Sequence, residues 1–328
     1  NSSAATSSVT LSGESIDANS PAAISSVAIP NTSMNVGDVV TVTITASEQG
    51  LTLSGTPTIG GFTVSSLTDN LDNTYTAQFT VTEGGTDLAA GANIPVSIIL
   101  ADAAGNTTSA FTTAITQAGD DIDANTPTIT STSVANGTYN VGDTVAVTIT
   151  AGGSETGLTL AGTFNGQTLT SITDNANGTY TGTYTVVEGD PDIADAANVT
   201  TNITLTDAAG NSSAATSSVT LSGESIDANT PTISSVSIAN GTLTYGQDVS
   251  VTVTFDENIT TDITSASTLA LDIGGVTKLA TYASTNGTDS LTFTYTVESG
   301  LTDANGVDAT VNGIALNGAE TITDTAGN

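Results

Sequence analysis

The 328-residue chain contains no cysteine, no histidine and no tryptophan, and Lys278 is its one basic residue. Each absence removes a class of function. Without Cys or His, no thiolate nucleophile, Ser–His or Cys–His dyad, or imidazole-ligated zinc or copper site can be assembled. Asp and Glu number 33, giving a formal net charge of −32. Such a surface repels nucleic acid and anionic lipid, both of which are bound by neutralising phosphate with Lys or Arg. Paired carboxylates can still serve as a glycosidase-type acid and base, but the aromatic complement is only seven Tyr and six Phe. Sugar-stacking clefts need more, and the chain reads as non-enzymatic. No stretch approaches the ~18–20 apolar residues of a membrane-spanning helix, so membrane insertion is not expected.

Apolar residues make up 37% of the chain, which suits several small cores better than one large one. Small domains without disulfides need another cross-link, and the surplus of carboxylates favours a hard cation. The segment NSSAATSSVTLSGESIDAN at 1–19 recurs unchanged at 211–229. IDAN(S/T)P appears at Ile16–Pro21, Ile122–Pro127 and Ile226–Pro231, with successive spacings of 106 and 104 residues. A period of this length is one small domain, and self-similarity at a fixed period marks a tandem array. The expected units are 17–122, 123–226 and a divergent 227–328, preceded by a strand and linker over 1–16.

Val, Ile and Thr alternate in short runs between Gly, Asn and Asp clusters, which predicts strands and turns rather than helices. Lettered in order, the first unit has A at 24–29, B at 39–46, C at 51–53 and D at 62–67. E follows at 74–81, F at 94–100 and G at 109–115. The second repeats this plan, with B at 144–151, E at 179–186, F at 199–205 and G at 214–221. TVTITA (41–46) and AVTITA (146–151) place apolar residues at every second position, as in a sheet with one buried face. The expected fold is all-β, a tandem array of immunoglobulin-like antiparallel β-sandwiches. The third unit keeps A and B signatures and then departs through STLALDIGG, KLATYAS and DSLTFTYTV.

VGDxVxVTITA, the D-N-x-x-x-T-Y-T-x-x-(F/Y)-T-V hairpin and the D-A-A-G-N loop resemble the bacterial Ig-like repeats of giant secreted RTX and biofilm-associated adhesins. FDENIT, LTFTYTVESG and ALNGAETITDTAGN of the third unit resemble a related family of cell-surface repeats. Together these likenesses cover the whole chain. They imply an extracellular or cell-surface location and calcium-stiffened spacer domains between a cell anchor and an adhesive tip.

Strand order sorts the loops independently of that likeness. If every hairpin reverses direction, the B–C, D–E and F–G loops share one end with the IDAN segment, and the A–B and E–F turns share the other. The first end gathers Asp17, Asn19, Glu48, Asp69, Asp72 and Asp102 in unit 1. In unit 2 it gathers Asp123, Asn125, Glu155, Asp174 and Asp207, and in unit 3 Asp227, Asn229, Asp256, Glu257, Asp289 and Asp324. Each preceding unit offers Glu83 and Asp87, or Glu188, Asp190 and Asp192. Calcium takes six to eight oxygens at flexible geometry, whereas magnesium keeps its water, so calcium is the expected ion. Plainer roles stand beside this one: Asx turns for the D-A-A-G-N aspartates, solvated linker charge for IDAN, and turn residues for Asp38 and Asp143.

The strand count is out of step, because 1–12 is a G-type strand without a body and the third unit stops before its own. Two expectations follow: an excerpt from a longer array, or head-to-tail donor-strand assembly of identical subunits into a filament through residues 1–12. The leading functional expectation is a spacer in a secreted adhesin or surface fibre, each unit spanning roughly 35–45 Å at about 3.4 Å per residue. Alternatives are a ligand-binding adhesive module, disfavoured by aromatic-poor loops, and a surface-layer or sheath lattice protein. For the last, N-x-(S/T) triplets such as Asn106, Asn198, Asn202 and Asn211 permit glycosylation.

Overall fold

The computed structural model describes residue 13 and residues 15–328; the expected donor strand over 1–12 lies outside them. Unit 1 carries β1 (Ser26–Ala28), β2 (Met34–Asn35), β3 (Val39–Thr45), β4 (Thr52–Ile59), β5 (Phe62–Thr63), β6 (Ser65–Asp69), β7 (Thr74–Thr80) and β8 (Val96–Ala101). One sheet runs β1-β3-β7-β6 and the facing one β5-β4-β8. Alternation sets the faces: β3 buries Val40, Val42 and Ile44 and turns its Thr residues outward. β7 sends Tyr75, Ala77 and Phe79 into the same core. The fold is an all-β sandwich of the immunoglobulin type.

Two strands differ from expectation. The run 62–67 is not one strand: β5 pairs with β4, the chain changes sheets at buried Val64, and β6 pairs with β7. The third strand is longer than 51–53, because a bulge between Ser54 and Thr58, carrying Gly55 and Pro57, masks its alternation. The expected final strand of unit 1 lies against β8 through isolated bridges, Ala101 to Thr107, Ile98 to Phe111 and Ile94 to Ile115.

β9 (Ile122–Asp123) leads into unit 2, which carries β10 (Ile129–Val134), β11 (Gly137–Tyr139), β12 (Thr144–Ala151), β13 (Thr159–Phe164), β14 (Gln167–Thr168), β15 (Thr170–Asp174), β16 (Thr179–Thr185), β17 (Asn198–Thr206) and β18 (Ser218–Thr220). Its sheets run β10-β12-β16-β15 and β14-β13-β17-β18. The internal copy of the repeated segment completes the second sheet. Ser213 N donates to Leu205 O at 2.8 Å and Thr216 N to Ile203 O at 3.0 Å, before β18 pairs with β17.

β19 (Glu224–Ile226) opens the passage to unit 3, made of β20 (Ile233–Ile238), β21 (Asp248–Phe255), β22 (Ile259–Thr261), β23 (Thr268–Ile273), β24 (Val276–Thr285), β25 (Ser290–Thr296), β26 (Asp308–Ala315) and β27 (Ile322–Asp324). Here one six-stranded sheet runs β20-β21-β25-β24-β23-β26. The ten-residue β24 pairs with β25 on one side and β23 on the other. A single ladder therefore joins what are separate sheets in the first two units.

The strands between units are shared. β2 pairs in parallel with β9, and β11 with β19. Ile122 and Ala124 belong to the first core, and Ile226 and Ala228 to the second, all at most 3% exposed. Burying each Ile contributes about 1.5–3 kcal/mol. The boundary expected at 122/123 falls inside β9 and the one at 226/227 directly after β19, while the Ile before each and the Ala after it both pack into the preceding core.

Candidate metal centres at the junctions

Each junction is assembled from three short motifs. The NVGD turn is closed by its own aspartate: Asn35 N donates to Asp38 Oδ2 at 2.8 Å, and Asn140 N to Asp143 Oδ2 at 2.9 Å. This turn reaches the following unit. Asn35 Nδ2 donates to Ala209 O at 2.6 Å and Val36 N to Asn211 Oδ1 at 2.9 Å. Asn140 Nδ2 donates to Ala326 O at 2.9 Å and Val141 N to Asn328 Oδ1 at 2.7 Å. The receiving loop is D-(A/T)-A-G-N, in which Asp207 Oδ1 accepts from Gly210 N and Asn211 N. Asp324 Oδ1 likewise accepts from Ala326, Gly327 and Asn328 N. The Asx-turn role of these aspartates is real, and it aims the terminal Asn across the junction.

The third motif is the acidic turn after β7 or β16. Asp87 Oδ1 accepts from Ala124 N and Asn125 Nδ2, both at 2.8 Å. Asp192 Oδ1 accepts from Ala228 N at 2.9 Å and Asn229 Nδ2 at 2.8 Å. Glu83 and Glu188 take the N–H of Thr126 and Thr230, each at 3.2 Å. The two junctions are therefore built alike, one period apart.

Electrostatics concentrates on four carboxylates in each. Burial raises Asp123 above the usual carboxylate range, and the negative charges of Asp207, Asp87 and Asp121 push it further. Glu155 is raised by burial and then by Asp207 and Asp123. The second junction repeats this, with Asp227 raised by burial, Asp324 and Asp192. Glu257 is raised by burial and then by Asp324, Asp227, Asp256 and Asp192. No protein cation offsets this repulsion, since Lys278 is bound to Glu298 at 2.6 Å. One neutral oxygen at each junction is also unmatched: Asn35 Oδ1 and Asn140 Oδ1 are buried without a donor among the described residues. Asn35 stands in the junction strand pair opposite Asp123, and Asn140 directly follows β11, next to Tyr139, whose carbonyl accepts Asp227 N. An all-oxygen set of carboxylates and amide carbonyl suits calcium. Among the described residues no three carboxylates stand close enough to enclose an ion.

Other expected ligands are held elsewhere. Asp69 spends both oxygens on loop amides of Gly50 and Leu71, and Asp174 on those of Gly157 and Ala176. Asp190 is buried between Gln167 Nε2 and Val187 N. Asp256 accepts from Thr232, whose hydrogen bonds hold it below the usual range. Asp17, Asn19, Glu48 and Asp102 lie at the leading end of unit 1, where Asn106 Nδ2 reaches Asp17 O at 3.3 Å and also bonds Asp102. Asp120 is a further oddity: it is fully buried and neither carboxylate oxygen finds a donor among the described residues.

Several site residues escaped the sequence reading. Asn211 is 5% exposed and bonds across the junction, which removes it as a glycosylation position. Recurrence of NVGD and D-x-A-G-N at the period was the available signal. Tyr180 is fully buried, donates to Glu155 O and accepts from Leu158 N, both at 3.0 Å. Tyr75 does the same for Glu48 O and Leu51 N. Gly178, at φ +81°, brings its loop against the turn before Glu155: a Cβ there would lie 2.4 Å from Ser154 Cα. Only glycine combines that backbone with that approach.

No family model matches the chain, and no curated protein matches it. Solved structures with a similar fold include a 1.5-MDa bacterial ice-binding adhesin (18% identity, TM-score 0.28, covering 85% of this chain and 88% of that one). The D1–D4 ectodomain fragment of ICAM-5 has 14% identity and a TM-score of 0.30, covering 84% and 75%. The D00-D0 domain of intimin has 13% identity and a TM-score of 0.25, covering 60% and 98%. At such identities and scores, the architecture described above, and not these likenesses, carries the argument for function.

Proposed function

We propose that the chain is a structural spacer of an extracellular adhesin or surface fibre, with calcium bound at its junctions as a rigidifying cross-link. The observation that carries this reading is the duplicated junction. Asp87, Asp123, Glu155 and Asp207 correspond to Asp192, Asp227, Glu257 and Asp324, and in these sets burial and neighbouring negative charge raise Asp123 and Glu155, and likewise Asp227 and Glu257, with no basic residue at hand. Asn35 or Asn140 adds an unmatched oxygen. A divalent ion there relieves the repulsion and ties the acidic turn of one unit to the loops of the next. Because it binds only the assembled junction, it also stabilises the fold by mass action.

Repetition, the lack of Cys and His, and acidic composition accord with a role of reach and stiffness. Millimolar free calcium is a property of extracellular fluid, so the same chain stiffens outside the cell. The test is thermal melting in millimolar calcium and in EGTA. A large calcium-dependent rise in Tm supports the reading; superimposable melts overturn calcium as the cross-link.

A further inference from the structure

Four tripeptides of identical sequence, Asn-Gly-Thr, stand at 136–138, 177–179, 240–242 and 286–288. In Asn-Gly the side-chain amide is open to attack by the next backbone nitrogen, because glycine brings no side chain to block the approach. The surroundings of the reacting groups differ from copy to copy. Gly137 N is spent on Gly223 O at 3.1 Å, within the strand pair β11–β19. Asn286 is exposed and held through its backbone, its N–H on Ser290 O at 2.7 Å, and its side chain makes no hydrogen bond among the described residues.

Asn177 is arranged differently. It is exposed, in the turn between β15 and β16. Its Oδ1 accepts from Thr179 N at 3.0 Å and from Thr179 Oγ1 at 2.7 Å. This Asx turn folds the carboxamide back over the intervening backbone nitrogen, and Gly178 N donates to nothing among the described residues. Both donors sit on the oxygen that turns negative when Gly178 N adds to Asn177 Cγ, which is the arrangement of an oxyanion hole. Unit 1 shows their effect on negative charge. Asp72 takes this place there, and the hydroxyl and N–H of Thr74 hold it below the usual carboxylate range.

We propose that Asn177 is a site of self-catalysed deamidation. Gly178 N forms a bond to Asn177 Cγ, the Cγ–Nδ2 bond breaks, and Nδ2 leaves as ammonia with the proton of the Gly178 amide. Water then opens the cyclic imide at either carbonyl. One opening gives aspartate at 177, the residue type and turn of unit 1. The other gives an isoaspartyl link, with an extra methylene in the main chain. Gly178 packs on the turn before Glu155: a Cβ on it would lie 2.4 Å from Ser154 Cα, and its carbonyl accepts from Ala151 N at 2.9 Å. The isoaspartyl product therefore disturbs the loop contact at the leading end of unit 2, and the aspartyl product adds a negative charge beside it. This modification goes beyond the spacer reading and does not depend on calcium.

The test is incubation of the full chain at mildly alkaline pH, folded and in urea, followed by cleavage after glutamate and mass mapping. Fragment 156–188 carries Asn177 and fragment 258–298 carries Asn286. In the folded chain Asn177 is expected to convert about tenfold faster than Asn286, the equivalent of one hydrogen bond made to the transition state. In urea the two identical tripeptides should react alike. Thr179→Val removes the hydroxyl donor and should slow Asn177 by about tenfold on the same grounds, leaving Asn286 unchanged. Thr179→Ser keeps the hydroxyl and should keep the rate. Equal rates at Asn177 and Asn286 in the folded chain, or a rate at Asn177 untouched by Thr179→Val, overturns the inference.

Discussion

Units 1 and 2 are closed by two separate sheets, whereas unit 3 is wrapped by one ladder running through β24. Yet the junction leading into unit 3 repeats the one leading into unit 2, down to the paired Asn amide and the acceptor carbonyl of Ala209 or Ala326. The body of a unit can therefore be rebuilt while its end faces stay the same. What the ends require is a particular set of oxygens and amides; what the middle requires is only a filled core. The comparison also exposes one difference at the ends. Tyr180 ties Glu155 O to the loop that follows it, while its place in unit 3 is taken by Leu291, which has no hydroxyl.

That difference predicts unequal sensitivity. Tyr180→Ala empties a fully buried position and should cost about 3–5 kcal/mol. In calorimetry it should unfold unit 2 first and abolish calcium binding at the first junction. Tyr180→Phe keeps the ring but leaves the Leu158 N–H and Glu155 O unmatched, costing about 1–3 kcal/mol. Its distinguishing sign is weaker calcium binding at the first junction and unchanged binding at the second, readable by titration calorimetry.

A smaller effect contrasts Asp120 with Glu224, its counterpart in unit 2. Glu224 is buried but accepts a hydrogen bond from Ser222 N, whereas Asp120 accepts none among the described residues. Asp120→Asn should therefore raise the melting of unit 1 by a few degrees, at about 4–8 °C per kcal/mol for a domain of this size. Glu224→Gln should give no such gain. An equal response of the two would show that Asp120 has a partner after all.

The smallest predicted effect is with pH. Asp123, Glu155, Asp227 and Glu257 are raised in the folded chain. The folded state thus holds protons more tightly than the unfolded state between the ordinary carboxylate range and the raised values. Stability in EGTA should rise as pH falls through that window and decline as pH rises through it. Asp102 and Asp256 are lowered, by hydrogen bonds led by Asn106 and Thr232 respectively. Their contribution is present above the ordinary range and is lost as pH falls further, through the lowered values. Calcium should flatten the first trend, because the bound ion replaces the proton as the counter-charge. A Tm that falls steadily on acidification from neutral pH in EGTA would contradict the placement of these four groups.

Much of the sandwich was legible because alternation is a local signal. The strands at 39–46 and 144–151 bury one face and expose Thr on the other, so sequence and structure coincide there. The strand around Leu51 was underread because its bulge breaks the alternation, and 62–67 was read as one strand because a change of sheet leaves no trace in hydropathy. At the junctions, the sorting of loops by end located Asp87, Asp123, Glu155 and Asp207 together. Spacing alone does not tell how a carboxylate spends its lone pairs: Asp69 and Asp174 bond loop amides, Asp190 bonds Gln167, and Asp207 bonds Asn211 through both of its oxygens. In the sequence Asn211 reads as a glycan acceptor, and Asn35, Asn140 and Asn328 carry no assigned role. Their role across the junction depends on a contact about 175 residues away in sequence for Asn35 and Val36, beyond the reach of any local pattern.

The most direct test of the central claim is calcium titration calorimetry on the chain and on the Asp123→Asn, Asp227→Asn double variant. The account predicts that wild type binds at least one ion per internal junction and that the double variant loses both. Equal binding by the two chains, or none by wild type, would contradict it.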